Sequence, residues 1–259
     1  AEINVGVDSF VFADDNPMEC DLVQTYLPEV VTVELDGPPG LFPDKLLATG
    51  QLDSPRLTGE DLIRAGSYGS ENKRQALRHE SSDISGFLAS LDLQLALGSP
   101  DTGNIERMVQ LFSRTNQFNL TAKRYGHHEV SELLADDNVE VTIARLCDRF
   151  GDYGVIGLAV LRHGVETTEV DSLLMSCRAL GRNVEECVVA FLEERARARG
   201  AKHLTGVYSP TAKNGLVADL FTRLGFSADP QGRAFNRNLE TEPPLRYPSH
   251  IHIEKMERA

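Results

Sequence analysis

Leu174-Met175-Ser176-Cys177-Arg178-Ala179-Leu180-Gly181-Arg182-Asn183 is the stretch on which the reading of this chain turns. Residues 168–174, which run into it, read as a strand. Residues 183–199 after it have helical spacing and stop at Gly200, the usual residue just past a helix end. A strand that runs into a long helix through a glycine-containing loop presents unbonded backbone N–H groups at the helix start. Those groups and the helix dipole make an anion site. Cys177 ends the strand, with Arg178 and Arg182 close by in sequence. Positive charge and a helix N-terminus both favour the thiolate, the nucleophilic form of cysteine. A small core cysteine would fit the same position.

Working outward, residues 92–97 read as a strand, and 104–118 and 127–134 as helices. Residues 139–146, 155–162 and 168–174 read as three strands, with hairpin turns at 148–154 and 163–164. After the long helix come a strand at 203–208, a helix at 213–224 ended by Gly225, and a strand near 234–239. The tail, with Pro243, Pro244 and Pro248, reads as loop. Residues 58–91 read as a charged helical linker with a solvated face, its Thr58–Asp61 pair resembling a capping box and Gly66 and Gly69 interrupting it. Upstream, 9–13 is a short buried-type strand, 18–27 a helix opened by Pro17, and 30–35 a second strand, with a turn at 37–40. The organisation expected is therefore a segment 1–57, a linker 58–91, a main domain 92–240 and a tail 241–259. The fold class is α/β (α+β).

The 259 residues carry 26 Lys+Arg against 39 Asp+Glu, a net charge of −13. Such acidity argues against nucleic acid as a partner. No apolar run approaches the roughly 20 residues that span a bilayer, and residues 1–13 lack a basic leader, which points to a cytoplasmic protein. The four cysteines form no CxxC pair, as expected of reduced thiols and not of a disulfide framework or zinc site. The charge is uneven: residues 1–60 hold 12 acids and two bases, −10 of the total. The chain opens on Ala1, not Met, as a piece of a longer protein would.

The element order from residue 92 resembles the GNAT acyltransferase fold. Arg178-Ala179-Leu180-Gly181-Arg182-Asn183 resembles that family's phosphate-binding loop, which implies that Arg178, Gly181, Arg182 and Asn183 hold pyrophosphate or phosphopantetheine. Asn214…Val217…Phe221-Thr222-Arg223-Leu224-Gly225-Phe226 resembles its later helix, which adds Asn214 to the cofactor-binding set. Two positions depart from the pattern. Asn183 replaces a small residue, and Phe221 stands where many such enzymes carry a Tyr general acid, which counts against ordinary CoA-dependent N-acylation. The resemblance places Cys177 beside the thioester of bound pantetheine.

The strand followed by Asp14-Asp15 resembles the last acidic motif of HAD phosphatases, where a carboxylate pair helps to hold Mg²⁺; a solvated Asp pair before a helix reads the same way. With Phe12-Ala13-Asp14-Asp15-Asn16-Pro17, Thr115-Asn116-Gln117-Phe118-Asn119-Leu120-Thr121, Arg149-Phe150-Gly151-Asp152-Tyr153-Gly154 and Pro210-Thr211-Ala212-Lys213-Asn214, residues 9–226 resemble the FkbH-like proteins of polyketide pathways. These join a HAD-like Rossmannoid segment, here partial, to a GNAT-like domain. The resemblance implies transfer of a glyceryl unit, derived from 1,3-bisphosphoglycerate, through Cys177 to the phosphopantetheine of an acyl carrier protein. The HAD nucleophile motif Asp-x-Asp and its downstream lysine do not precede Asp14, so phosphatase activity, and with it Mg²⁺, is expected only of a complete HAD-like domain.

Given that resemblance, Asn116, Gln117 and Asn119 are candidates to bond glyceryl hydroxyls, or they cap a helix and order a loop. Asp171, on the strand leading to Cys177, and His203 are the candidate bases for the thiol. Asp152 reads as a turn residue, His127 and His128 as exposed, and Cys20, Cys147 and Cys187 as packing. Residues 178–223 hold eight bases and five acids, a face that would steer an acidic carrier protein or is simply solvated. The rival readings are a CoA-dependent GNAT N-acyltransferase and a non-catalytic carrier-docking module.

Overall fold

A computed structural model describes residues 7, 10–52, 70, 73–74, 77–78 and 83–256. The chain divides into two compact units, Ala1–Leu57 and Thr58–Ala259.

The first unit is a β–α–β arrangement. Strand β1 (Val11–Asp14) lies parallel to β2 (Val31–Glu34), in register from Val11 opposite Val31 to Asp14 opposite Glu34. Between them runs α1 (Pro17–Tyr26). The Asn16 side chain caps it by accepting from the Met18 amide, and Pro17 fits the first turn, where its missing N–H costs no helix bond. A second helix, α2 (Phe42–Ala48), follows a 3₁₀ turn at Pro39–Leu41. At seven residues it is too short for a helical period to show in the sequence.

The second unit is built on an eight-stranded mixed sheet. A short helix α3 (Ile84–Ser90), capped by Asp83, leads into β3 (Leu93–Gly98). Then come α4 (Ile105–Arg114), α5 (His127–Ala135), β4 (Val139–Asp148), β5 (Gly151–His163) and β6 (Thr167–Met175). The long helix α6 (Val184–Ala198) crosses to β7 (His203–Val207). The remaining elements are α7 (Leu220–Arg223), β8 (Ser227–Ala228), β9 (Ala234–Asn238) and β10 (Ile251–Met256). The spatial order is β10-β3-β4-β5-β6-β7-β9-β8. β6 and β7 are parallel, as a β–α–β crossover requires, and β10 is parallel to β3; the other neighbours are antiparallel.

Alternation along the strands fills both faces. Ile156, Ala159 and Leu161 of β5 join Val188, Val189 and Leu192 of α6 in one core. Val155, Leu158 and Val160 join Met108, Leu111 and Phe112 of α4 and Val130 and Leu133 of α5 in the other. β5 is therefore buried on both sides, which is why it reads as a nearly continuous apolar run.

Three expectations are corrected. The tail is not all loop: 251–256 forms β10, and Gly98 permits its close approach, since a Cβ there would strike the Met256 backbone. The 213–224 segment is a 3₁₀ turn at Gly215–Val217 and the single turn of α7, not one helix. The linker is not merely solvated, because Arg74 is buried and bonds Asp148 of β4. Thr58, Asp61, Gly66 and Gly69 lie outside the described residues.

Candidate active site where two parallel strands part

β6 pairs with β7 only from Thr167 to Val170. The last pair is Val170 with Gly206, and there these two strands part. Gly206 is needed at this fork: a Cβ on it would come within 3.0 Å of the Phe221 ring, which is wedged against β7 beside Phe226 and Phe235. The β5–β6 register shifts at the same level, with Ser172 opposite Val160 and Val170 opposite Leu161, so Asp171 is an extra residue in its strand. A bulge re-aims its side chain. Asp171 consequently meets Lys123 (2.7 Å) and Tyr125 (2.9 Å) from the loop before α5, together with Arg162 (2.8 Å) and Ser172 (2.9 Å).

Beyond the fork, β6 takes a different partner. Residues 118–120 bond to it in antiparallel fashion: the Leu120 amide donates to Leu173 (3.1 Å) and the Met175 amide to Phe118 (2.9 Å), with Asn119 opposite Leu174. On its other side, Leu120 accepts from the Ser209 amide (2.8 Å). The buried Asn214 amide locks this arrangement. It donates to Asn119 (2.8 Å) and Ser209 (2.9 Å) carbonyls, and its oxygen accepts from the Thr211 amide (2.7 Å). Asn214 thus holds two loops together, its polar atoms spent inside the protein.

The segment after β6 starts with Ser176, whose amide donates to Ile156 (2.7 Å) and whose side chain caps a 3₁₀ turn at Cys177–Ala179. Gly181 (φ +73°) and Asn183 (φ +61°) are both left-handed, so the chain reverses tightly into α6. Cys177 is partly exposed at the head of this loop. The Arg178 Nε donates to the Ser176 hydroxyl (3.4 Å). The Arg182 guanidinium folds back: it donates to the Arg178 (2.9 Å) and Leu180 (3.1 Å) carbonyls and to the Tyr153 hydroxyl (3.2 Å). Tyr153 donates in turn to Asp148 (2.7 Å), which holds Arg74 through two bonds (2.6 and 2.9 Å) and accepts from the Phe150 and Gly151 amides. The turn motif 149–154 and the cysteine loop are thereby one hydrogen-bonded structure. Burial would raise the Asp148 carboxyl, but Arg74, Tyr153 and the Phe150 amide outweigh it and hold it below the usual range. Asp152 stabilises its own turn by accepting from Gly154 (2.6 Å).

The start of α6 is less anion-friendly than the sequence suggests. Asn183 turns its amide to Glu186 (2.8 Å) and makes no side-chain cap. Glu185 and Glu186 occupy the first turn, facing Arg223 at 3.8 and 3.7 Å. Burial pushes the Glu185 carboxyl up. Much of the basic charge of residues 178–223 is matched locally: Arg195 with Glu140, Arg197 with Glu193, and Lys202 with Glu166.

The two candidate bases do not serve Cys177. Burial works to raise the Asp171 carboxyl, but bonds from Lys123, Arg162, Ser172 and Tyr125 bring it down to about 2, so it is a saturated anion and not a proton acceptor. His203 pairs with Thr167, eight residues before the end of β6, which at about 3.3 Å per residue puts it roughly 26 Å from the thiol's end of the strand. Phe221 is a core side chain, and its ring position therefore says nothing about a general acid. In the first unit, Asp14 accepts from the Asn16 amide (2.9 Å) and Asp15 is exposed. Among the described residues no group of three or more His, Cys, Asp or Glu gathers to hold a metal.

Asn116, Asn119, Ala122, Arg124, Thr211, Ala212 and Lys213 line a cavity of about 220 Å³. Asn116 accepts from Arg124 (2.6 Å), and Asn119 accepts from the Ala122 amide (2.9 Å). Gln117 is exposed beside them and outside the lining. Cys177 does not line this cavity. Arg124, Thr211 and Lys213 escaped the sequence reading because they converge only through the loop pairing that Asn214 enforces. No described helix is long and apolar enough to cross a membrane.

No protein-family model matches the chain, and no curated protein matches it. Solved structures do resemble it. The ribosomal-protein-S18-alanine N-acetyltransferase from Escherichia coli is 11% identical with a TM-score of 0.44, over 59% of this chain and 99% of that one. The spermidine N-acetyltransferase from Vibrio cholerae, in complex with CoA and spermine, is 12% identical with a TM-score of 0.44, over 57% of this chain and 96% of that one. The N-acetylglutamate synthase from Neisseria gonorrhoeae, complexed with coenzyme A and N-acetyl-glutamate, is 14% identical with a TM-score of 0.44, over 56% of this chain and 35% of that one.

Proposed function

We propose that the unit Thr58–Ala259 is an acyltransferase that takes its acyl group from a pantetheine thioester. The observation that carries this is the fork. Two parallel strands joined by α6 part after Val170 and Gly206, and the Cys177 loop stands at the carboxyl end of β6, where open α/β sheets place ligands. CoA is the first carrier to consider. With Phe221 in the core, the argument against a CoA-dependent N-acyltransferase no longer holds.

A second reading is favoured by the partial exposure of Cys177 at the head of that loop. In it the thiolate attacks the carbonyl of a 1,3-bisphosphoglycerate-derived glyceryl donor and expels its leaving group. The thiol of carrier-protein phosphopantetheine then attacks the Cys177 thioester, takes the glyceryl unit and releases the cysteine thiolate. Arg178 and the exposed backbone at Gly181 are the groups this loop offers to a pantetheine phosphate.

The test is intact-mass spectrometry after incubation with acyl-CoA and with 1,3-bisphosphoglycerate, alongside calorimetry with acetyl-CoA. The first reading expects saturable CoA binding, no covalent adduct and indifference to Cys177→Ala. The second expects an acyl adduct on the wild type that Cys177→Ala abolishes. Neither binding nor adduct would end both.

A further inference from the structure

The geometry points to the outer edge of β10 as a self-association surface, on which a second copy of this chain adds its own β10 antiparallel about a two-fold axis. β10 is the terminal strand at its end of the sheet and pairs with β3 on its inner side. Among the described residues, no backbone group from outside the sheet bonds to residues 252–256. Such an edge is a row of unmet donors and acceptors and a template for another strand. A lysine on an edge strand usually blunts it. Here Lys255 is drawn inward, to Glu194 of α6 and over the Tyr247 ring.

The two faces of the strand restrict how a copy can pair. Ile251 and Ile253 pack on the core that includes α6, and Met256 packs on the core that includes α4 and α5. Odd-numbered residues therefore face one side of the sheet. His252 and Glu254, both exposed, share the other side with Met256. Residues opposite each other in an antiparallel pair lie on the same face, so a two-fold axis normal to the sheet must pass through a residue. Through Glu254, the axis sets two carboxylates against each other, which is unfavourable. Through His252, it sets Glu254 against His250 of the other copy, whose ring is already committed to the Arg182 carbonyl (3.1 Å). Through Ile253, it sets His252 opposite Glu254 twice and Ile253 opposite itself. That register alone matches acid with base and apolar with apolar, and the charges therefore choose it. The product is a closed pair with one sheet running through both copies. The surface stands whether or not the acyl-transfer reading does, because no residue of the Cys177 loop takes part.

The test is analytical ultracentrifugation of the full chain at concentrations up to about 1 mM. A monomer–dimer equilibrium is expected. His252→Glu sets acid against acid, and Glu254→Lys removes the acid from the histidine. Each change acts twice across the axis and should raise the dimer Kd about tenfold. The double variant His252→Glu, Glu254→Lys sets acid opposite base again and should recover the wild-type Kd. Both side chains are exposed, so melting curves should show every variant folded at the wild-type Tm. The proposal falls if the wild type is monomeric throughout, if both folded single variants dimerise as the wild type does, or if the double variant fails to recover what the single ones lose.

Discussion

The two ends of β6 are bonded to different kinds of partner. From Thr167 to Val170 the strand pairs with β7, a regular parallel neighbour. From Leu173 to Met175 it pairs with residues 118–120, part of a loop. Hydrophobic burial, non-directional and tolerant, serves both ends, through Val170 at the regular end and Leu173, Leu174 and Met175 at the other. The loop-paired end is also fixed by named polar side chains: Asp171 at the bulge, Asn214 behind the loop, and Asp148 with Tyr153 and Arg182 beyond the strand. The difference teaches where this fold places its chemistry. A site needs backbone that is not paired into the sheet, and such backbone must be held by hydrogen bonds.

Breaking the polar end should therefore cost most. Asp148→Ala removes the carboxylate from a buried Arg74 and orphans the Phe150 and Gly151 amides. Loss of about 3–5 kcal/mol is expected, as for one partner of a buried pair, measured by urea unfolding. A change below 1 kcal/mol would mean that Arg74 readily finds water. Next comes the boundary itself. Gly206→Ala puts a methyl into the Phe221 ring, and overpacking should cost about 1–3 kcal/mol. Phe221→Leu in the same chain should recover part of that loss; failure to do so would refute the wedge.

The same contrast explains what the sequence disclosed. β4, β5, β6 and α6 were legible because apolar periodicity over nine or more residues has one reading. The cysteine loop was legible because glycine and helix onset mark a turn. The fork was not: the bulge at Asp171 is one extra residue in Val170-Asp171-Ser172-Leu173-Leu174, a run whose letters do not announce it. Asn214 looked like a ligand residue because a buried, fully bonded amide and a cofactor-binding amide are the same letter. Its partners Asn119 and Ser209 lie far away or in an unpatterned loop. β10 was missed for a related reason: Ile251-His252-Ile253 alternates too briefly to outweigh three nearby prolines.

Acid should open the bulge before it opens the regular end. Asp171 is held at about 2, below its ordinary value of 3.8. Its contribution is fully present above pH 4 and is lost as pH falls through about 2, a span worth on the order of 2 kcal/mol. Urea melts of wild type and Asp171→Asn at pH 5 and pH 2 isolate this group from the other carboxylates. The gap between the two proteins should shrink at pH 2, and an equal gap at both pH values would contradict the assignment.

The smallest effect sharpens the comparison furthest. Tyr153→Phe keeps the ring that Arg74 and Arg182 cover, at 4.4 and 5.2 Å from its centre, and removes only the hydroxyl between Asp148 and Arg182. Global stability should fall by about 1 kcal/mol, the net worth of one hydrogen bond. Arg182 keeps its bonds to the Arg178 and Leu180 carbonyls, so the loop should loosen without unfolding. Amide exchange at residues 178–184 should accelerate while exchange at Thr167–Val170 stays as it was. That result would separate the two ends of one strand by a single oxygen atom. Equal acceleration at both ends would show that β6 opens as a unit and that the polar end has no stability of its own.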